Sequence, residues 1–354
     1  MATICVLNAG SSTLKYAVYD TAPTLRRIAG GNIEGGSLDR VPLPEGVTAF
    51  GHRVVHGGPN LSQPVIVDAQ TFAAIEAVSP LAPLHNPPAL AVIAALRDRF
   101  PGVIQVACFD TGFHHGHPAV ADRFAIPDSL YQEGVRRYGF HGLSYEYIAG
   151  ALETVAPAIA KGRVVVAHLG SGASMCGLVG GRSVDSSMGF TALDGLPMGT
   201  RSGSLDAGVI LWLQQTKGWP VDRVEHFLYH DCGLKGLSGL SNDMRVLLAS
   251  DAPLARLAVD YFVYHVARTA GSLAVSTGGL DAMVFTAGIG EHSPEIRSRV
   301  LRRLTWLGFA VDDTANEAGG PLLTTAGSRL PAFVIPTDEE LTIARHTAAV
   351  SAIG

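Results

Sequence analysis

Apolar runs of four to eight residues recur along the chain, each ended by small or polar residues. Thr3–Leu7 runs into Asn8-Ala9-Gly10-Ser11-Ser12-Thr13-Leu14-Lys15, and a second apolar run, Tyr16–Tyr19, follows. The pattern predicts strand, turn and returning strand. Val164–Ser174 repeats it: an apolar run enters Gly170-Ser171-Gly172-Ala173-Ser174 and continues as Met175–Val179. The two copies lie about 160 residues apart, from Ile4 to Val164, too far for a solenoid repeat. They predict two domains of like topology, each opening with a hairpin whose turn faces a shared cleft.

A third strand, Ala282–Phe285, ends in the glycine turn Thr286-Ala287-Gly288-Ile289-Gly290-Glu291-His292. Ser293 as N-cap and Pro294 at the first helical position then predict a helix, Pro294–Trp306. Its N-terminus aims toward that turn, a favourable place for an anion. Further helices are expected at Pro88–Arg99, Ser144–Ala160, Leu205–Lys217 and Pro253–Ser276, and strands at Val103–Cys108 and Phe333–Pro336. The order is mixed α/β, without the strict βαβ alternation of a dinucleotide fold. No segment fits G-x-x-x-x-G-K-[ST], and no G-x-G-x-x-G opens a helix after a strand.

Composition narrows the class. The chain has 354 residues, so two domains are expected. At 47% hydrophobic and 16% charged it reads as soluble and globular. A net charge of −5 without a basic stripe argues against nucleic acid. No uncharged apolar stretch is long enough to span a bilayer, and the N-terminus lacks a basic region ahead of its first strand, so no membrane or secretory segment is expected. Cys5, Cys108, Cys176 and Cys232 are scattered, without metal or disulfide spacing, as suits a cytoplasmic protein.

The candidate chemistry sits at strand ends and glycine turns. Backbone N–H groups, the hydroxyls of Ser11 and Thr13 and the amine of Lys15 suit the oxygens of a transferring phosphoryl group. Arg53, inside Gly51–Gly58, reads either as a surface residue of an edge strand or as a fork for a carboxylate or phosphate. Gly57-Gly58 beside it would let backbone approach a ligand. Arg201 lies in the glycine-punctuated segment Gly189–Gly203, which is long for a purely structural loop. Asp110 follows the strand Val103–Cys108, as a catalytic acid or as a turn residue. His141, between glycines, is structural or a donor to developing phosphoryl charge. His114, His115 and His117 lack paired acidic ligands and read as surface histidines. Thr337 and Glu340 form a capping box ahead of a helix Leu341–Val350. That leaves Glu339 as a surface acid or as the carboxylate behind a nucleotide-bound Mg2+.

Together these segments resemble the acetate kinase family, a branch of the actin-like, sugar-kinase-like ATPases. Asn8–Lys15, Gly51–Gly58, His85-Asn86-Pro87, Phe109–His114, Tyr138–Gly142, His168–Ser174, Gly189–Gly203, Ser241–Arg245, Thr286–Ser293 and Pro336–Glu340 occur in family order and cover nearly the whole chain. The resemblance implies a two-domain actin-like (ribonuclease H-like) α/β fold, with duplicated mixed-sheet domains at 1–112 plus 341–354 and at 113–340. It implies ATP-dependent, reversible phosphorylation of a short-chain carboxylate, with Mg2+, in a homodimer.

Carried over residue by residue, Asn8 and Glu339 match the magnesium-site positions. Lys15, His168, Leu169, Gly170, Ser171, Gly172, Asp243, Met244, Arg245, Gly288, Ile289, Gly290, Glu291 and His292 match the nucleotide-binding segments. Arg53 matches the substrate-carboxylate arginine, Asp110 the acidic active-site residue, and His141 and Arg201 the groups that stabilise the transition state. A carboxylate nucleophile is already ionised at neutral pH. It needs positive charge to bring two anions together, and no general base.

Four departures from the family pattern stand out. The chain is short ahead of Arg53, Ser171 stands where asparagine is usual, Ser204 where aspartate is usual, and Ala192 where proline is usual. With Val55, Leu84 and Phe140 as the other apolar walls, Ala192 widens an acyl pocket toward propionate. Acetate, propionate and butyrate remain open as acceptors. A kinase of a hydroxyl group with Asp110 as base, a non-enzymatic actin-like ATPase module and a weakly active nucleotide-binding paralogue are the alternatives.

Overall fold

The structure is a computed structural model that describes residues 2–10, 13–22 and 24–351. It divides into two compact units, Met1–His115 with Ile126–Tyr147 and Asp338–Gly354, and Gly116–Ala125 with Ile148–Thr337. The expected partition placed 126–147 in the second domain. Its contacts bind it to the first instead. Gly142 N donates to Asp110 O at 2.9 Å, His114 Nε2 pairs with Phe140 O at 2.9 Å, and the His56 ring lies edge-on to Tyr138 and Phe140.

The first unit holds a six-stranded mixed sheet of β1 (Thr3–Ala9), β2 (Thr13–Asp20), β3 (Arg26–Glu34), β4 (Val47–Val54), β5 (Val65–Ile66) and β6 (Ile104–Phe109), in the order β3-β2-β1-β4-β6-β5. β1, β2 and β3 are antiparallel neighbours, while β4 and β6 run parallel to β1. Ile4 and Val6 face Ile343 and Ala344 of the helix Glu339–Ser351. Cys5, Leu7 and Ala9 face Val92 and Leu96 of the helix Asn86–Arg99. Burial on both faces is why β1 reads as an unbroken apolar run. A Cβ on Gly51 would lie 2.7 Å from Ile343 Cγ2, so glycine there lets the helix Glu339–Ser351 press onto β4.

In the second unit β7 (Arg163–Leu169), β8 (Ala173–Val179), β9 (Arg182–Ser186), β10 (Ala282–Thr286) and β11 (Ala332–Val334) form a sheet in the order β11-β10-β7-β8-β9. Read from its other edge, β9-β8-β7-β10-β11 reproduces β3-β2-β1-β4-β6, with the same antiparallel and parallel pairings. The internal repeat read from the sequence is thus a repeat of topology.

The helices follow the sequence closely. Pro253–Ser276 is as expected, and Ala207–Gln215 lies inside its expected span. Gly142–Val155 stops short of Ala160 because Pro157 supplies no N–H and disfavours a helical residue before it. Pro294–Arg303 is capped by Ser293, whose Oγ accepts from Ile296 N, and gives way to a 3-10 turn at Thr305–Leu307. The glycine turn after β10 is itself a short helix, Ala287–His292. Among the described residues no helix is long and apolar enough to cross a membrane.

Candidate active site

In the first unit the site grows from strand register. Ile4 and Val6 put the even positions of β1 on the face covered by the helix Glu339–Ser351, so Asn8 shares that face at the strand's C-terminal end. Ala49 and Gly51 place Arg53 likewise on β4, and Val106 and Cys108 place Asp110 just past β6. The three strands are parallel neighbours, so the three polar side chains arrive at one edge. Ligands in α/β sheets gather at such carboxyl ends.

Arg53 is therefore on a central strand, and its reading as a surface residue of an edge strand is corrected. Its Nε donates to Asp110 Oδ1 at 2.9 Å and its Nη2 to Asp110 Oδ2 at 2.5 Å. Its Nη1 donates to Asn8 Oδ1 at 3.2 Å. Three of the five guanidinium N–H groups are so engaged, leaving two for a ligand. The Asn8 amide donates to Glu339 Oε2 at 3.3 Å and to Glu340 Oε1 at 3.2 Å, and Glu339 Oε2 lies 3.9 Å from Arg53 Nε.

Glu340 is thus a member of this cluster, and the expected capping box with Thr337 is corrected. Asp338 caps the helix, its Oδ1 accepting from Leu341 N at 2.8 Å. Thr337 N is bonded instead to Glu291. The helix begins at Glu339, not Leu341.

Asp110 is fully buried. Burial pushes its carboxyl up from the usual range, opposed by the Arg53 guanidinium and by the backbone N–H of His141. Burial also works against the charge on Arg53, but Asp110, then Glu339 and Glu340, outweigh it and hold the guanidinium protonated. His141 is left-handed, with φ 57°. That conformation costs a non-glycine residue roughly 1–2 kcal/mol, and it is held because its carbonyl accepts from Ser144 N and Tyr145 N at the start of the helix Gly142–Val155.

The neighbouring residues sort clearly. Lys15 lies opposite Asn8 in β2, on the same face, and is exposed. Thr13 O closes the hairpin by accepting from Gly10 N at 2.8 Å; Ser11 lies outside the described residues. Val55 and Phe140 are buried and Leu84 is half-buried. Gly57 and Gly58 do not open space for a ligand. A Cβ on Gly57 would strike the Leu61 carbonyl, and one on Gly58, at φ 64°, would lie 2.7 Å from Val78. His114, expected at the surface, is buried.

The second unit has its own cleft, of about 1010 Å³. Of the expected nucleotide segments, Gly170, Ser171, Asp243, Met244, Arg245, Gly288, Ile289 and His292 line it. His168 and Leu169 are buried in β7, and the Gly172 carbonyl accepts from Gly170 N. Asp243 caps the helix Met244–Leu248 and holds Arg245 by three side-chain hydrogen bonds. The Glu291 carboxylate turns inward, its Oε1 accepting from Ala287 N at 2.7 Å, Thr337 N at 3.1 Å and Thr286 Oγ1 at 3.3 Å. Gly290 is buried beneath it.

A family model described as the acetokinase family matches residues 36–345. The chain belongs to the acetokinase family. The acetate kinase of Nitrobacter hamburgensis is 53% identical over 387 aligned positions, covering 98% of this chain and 96% of that protein. The acetate kinase of Rhizobium meliloti is 50% identical, at 99% and 98% coverage. Among solved structures, the acetate kinase of Porphyromonas gingivalis superposes with a TM-score of 0.88 at 31% identity, covering 99% of this chain and all of that one. A propionate kinase from Francisella tularensis reaches 0.89 at 35% identity, with the same coverage. The fold is the two-domain, actin-like α/β fold of these kinases, and family membership makes the chain a phosphotransferase with a carboxyl group as acceptor.

Set in that family, the three unusual residues have local partners, Ser204 through its side chain and Ser171 and Ala192 through their backbone carbonyls. Ser204 Oγ donates to Asp194 Oδ1 at 2.8 Å and accepts from Gly195 N at 3.2 Å. The Ser171 carbonyl accepts from Gly199 N. The carbonyl of Ala192 accepts from Arg201 Nη1 at 2.8 Å. Part of the glycine content of Gly189–Gly203 is structural: Gly203, at φ 71°, packs its Cα against the backbone of Leu196.

Asn242, Leu248, Ala249, Ser293, Pro294, Glu295 and Glu317 also line the cleft and were missed in the sequence. Asn242 and Ser293 lie inside recognised segments, and Leu248, Ala249, Pro294 and Glu295 follow closely after them. Glu317, on the helix Asp313–Glu317, carries no local signal at all.

Proposed function

We propose that this kinase transfers the γ-phosphoryl group of ATP directly, in line, to a short-chain carboxylate. A carboxylate oxygen bonds to phosphorus as the bond to the β,γ-bridging oxygen breaks, and ADP leaves with that electron pair. Acetate is the acceptor favoured by the named relatives, and propionate fits the smaller Ala192 side chain.

The observation that carries this reading is the Arg53–Asp110 pair. Both carboxylate oxygens of Asp110 are occupied by the guanidinium, which disfavours Asp110 as the base a hydroxyl acceptor would need. A carboxylate acceptor needs a cation instead, and Arg53 keeps two N–H groups for it. On this reading Asp110 fixes the orientation of Arg53, and His141 and Arg201 donate to charge developing on the phosphoryl group. The cleft of the second unit takes the nucleotide.

Among the described residues no three His, Cys, Asp or Glu side chains form a ready metal cage. Asn8 and Glu339 are nevertheless hard oxygen donors of the kind that hold Mg2+ when phosphates and water supply the other ligands. Bound there with the nucleotide, Mg2+ would neutralise phosphate charge.

We further infer a cytoplasmic homodimer. Four free cysteines suit a reducing compartment. The helix Pro253–Ser276 exposes Leu254, Leu257 and Tyr264 along one stripe, as a subunit contact would.

Trapping the product with hydroxylamine tests the reaction. Hydroxamate forming from acetate and propionate with ATP, and no phosphorylation of glycerol, is the expected result. Phosphorylation of glycerol alone would overturn it.

A further inference from the structure

Arg297 is the largest fully buried side chain of the described residues, 1% exposed, and no carboxylate among those residues lies within ion-pair distance of it. Its Nε donates to Asn316 Oδ1 at 2.8 Å and its Nη2 to Asn316 O at 2.6 Å. Its Nη1 donates to Gly290 O at 3.0 Å and to Glu291 O at 2.7 Å. Asn316 closes the network, its Nδ2 donating to Pro294 O at 2.8 Å. Burial pushes the Arg297 pKa down, with Glu317 alone opposing it.

A buried cation satisfied only by neutral carbonyls is a poor source of stability. What the network does is geometric. Its four anchors belong to the short helix Ala287–His292, to the start of the helix Pro294–Arg303 and to the helix Asp313–Glu317. Each of these contributes to the cleft wall, through Ile289 and His292, through Pro294 and Glu295, and through Glu317. The first two follow each other in the chain, with Ser293 N donating to Ile289 O at 3.0 Å, and the Arg297 and Asn316 side chains tie the third to them. From its own helix the rigid Arg297 guanidinium fork reaches the other two segments at once, which a lysine's point charge cannot do.

We propose that Arg297 is a positioning residue for the phosphoryl-donor cleft: with Asn316 it sets the spacing of three wall segments and thereby the affinity for the donor nucleotide. This rests on the reading of that cleft as the nucleotide site. Arg297 touches no substrate, and it acts through the carbonyls of Gly290 and Glu291 and through Asn316, which in turn holds the Pro294 carbonyl.

The test compares Arg297→Met and Arg297→Lys with Ile289→Trp, a substitution that fills the cleft. Direct ADP titration, the KM values for ATP and acetate, and thermal melts are read for each. Both Arg297 variants are expected to melt cooperatively, to raise the KM for ATP and the Kd for ADP about tenfold, and to leave the KM for acetate within about twofold. Lysine should not rescue. Should Arg297→Met fail to fold, Asn316→Ala carries the same expectation at smaller amplitude. Unchanged ADP affinity in a folded Arg297 or Asn316 variant, while Ile289→Trp weakens it, overturns the proposal. So does an equal rise in both KM values. Unchanged ADP affinity in Ile289→Trp removes the nucleotide-cleft reading and the proposal with it.

Discussion

The Arg53 guanidinium meets the Asp110 carboxylate edge to edge, Nε to Oδ1 at 2.9 Å and Nη2 to Oδ2 at 2.5 Å, where β4 and β6 end side by side, with the carboxylate fully buried and the guanidinium mostly so. Each residue constrains the other. The carboxylate orients the fork, and the fork occupies the oxygens that would otherwise act as a base.

Arg53→Ala should raise the KM for the carboxylate strongly and leave the KM for ATP near the wild-type value. It should also lower stability by about 3–5 kcal/mol, because it leaves Asp110 buried without its partner. Steady-state kinetics and denaturant melts check both. An unchanged carboxylate KM would remove Arg53 from the acceptor site. Replacing both residues with leucine should restore much of the stability and none of the activity.

Asp110→Asn keeps the shape and removes the charge. With Asp110 as an orienting group, kcat/KM for acetate should fall about 10²-fold or more, as for other lost charge-assisted contacts. The pH profile of what remains should lose no basic-catalyst limb. Loss of such a limb, measured over the stable pH range, would restore Asp110 as a proton acceptor.

His52, fully buried on β4, is bonded through Nε2 to Gln105 Oε1 at 2.8 Å. Burial lowers its pKa from 6.5 to about 4, against the bond to Gln105. The folded state therefore binds the proton less readily than the unfolded chain. Its contribution is full above pH 6.5 and is lost as pH falls toward 4, by about 3 kcal/mol in all. Melts across that window should show the wild type losing about that much more than a His52→Leu/Gln105→Leu variant. Parallel curves would contradict it.

Ala192→Pro should move the preference toward the smaller acid. The substitution leaves the carbonyl that accepts from Arg201 and adds bulk beside it. A methylene or so in an apolar pocket is worth roughly 1–3 kcal/mol of discrimination, so the acetate-to-propionate ratio of kcat/KM is the quantity to measure. No change in that ratio would remove Ala192 from the acyl pocket.

Much of the molecule was legible before any coordinates. Strand, turn and returning strand at Thr3–Tyr19 and Val164–Val179, the Ser293 cap and the full span of Pro253–Ser276 are local features. Short-range sterics and hydrogen bonding write them into neighbouring residues. The ordered motifs likewise gave the family.

The partners of the polar residues were not legible, because nothing local encodes them. Arg53 and Asp110 are 57 residues apart, and Asn8 and Glu340 are 332 apart. Only strand order and register carry them to one sheet edge. The local pattern Thr337-Asp338-Glu339-Glu340 read as a capping box between Thr337 and Glu340, and in the structure Asp338 caps the helix. The choice fell to Asp338 because Asn8, fixed at the end of β1, offers Glu340 a donor. Gly57 and Gly58 looked like space for a ligand and proved to be close packing, a distinction that depends on what faces them from Leu61 and Val78. Sequence fixes which groups are present and which backbone shapes carry them. Which groups meet is decided by tertiary register, where a shift of one residue turns every side chain to the opposite face.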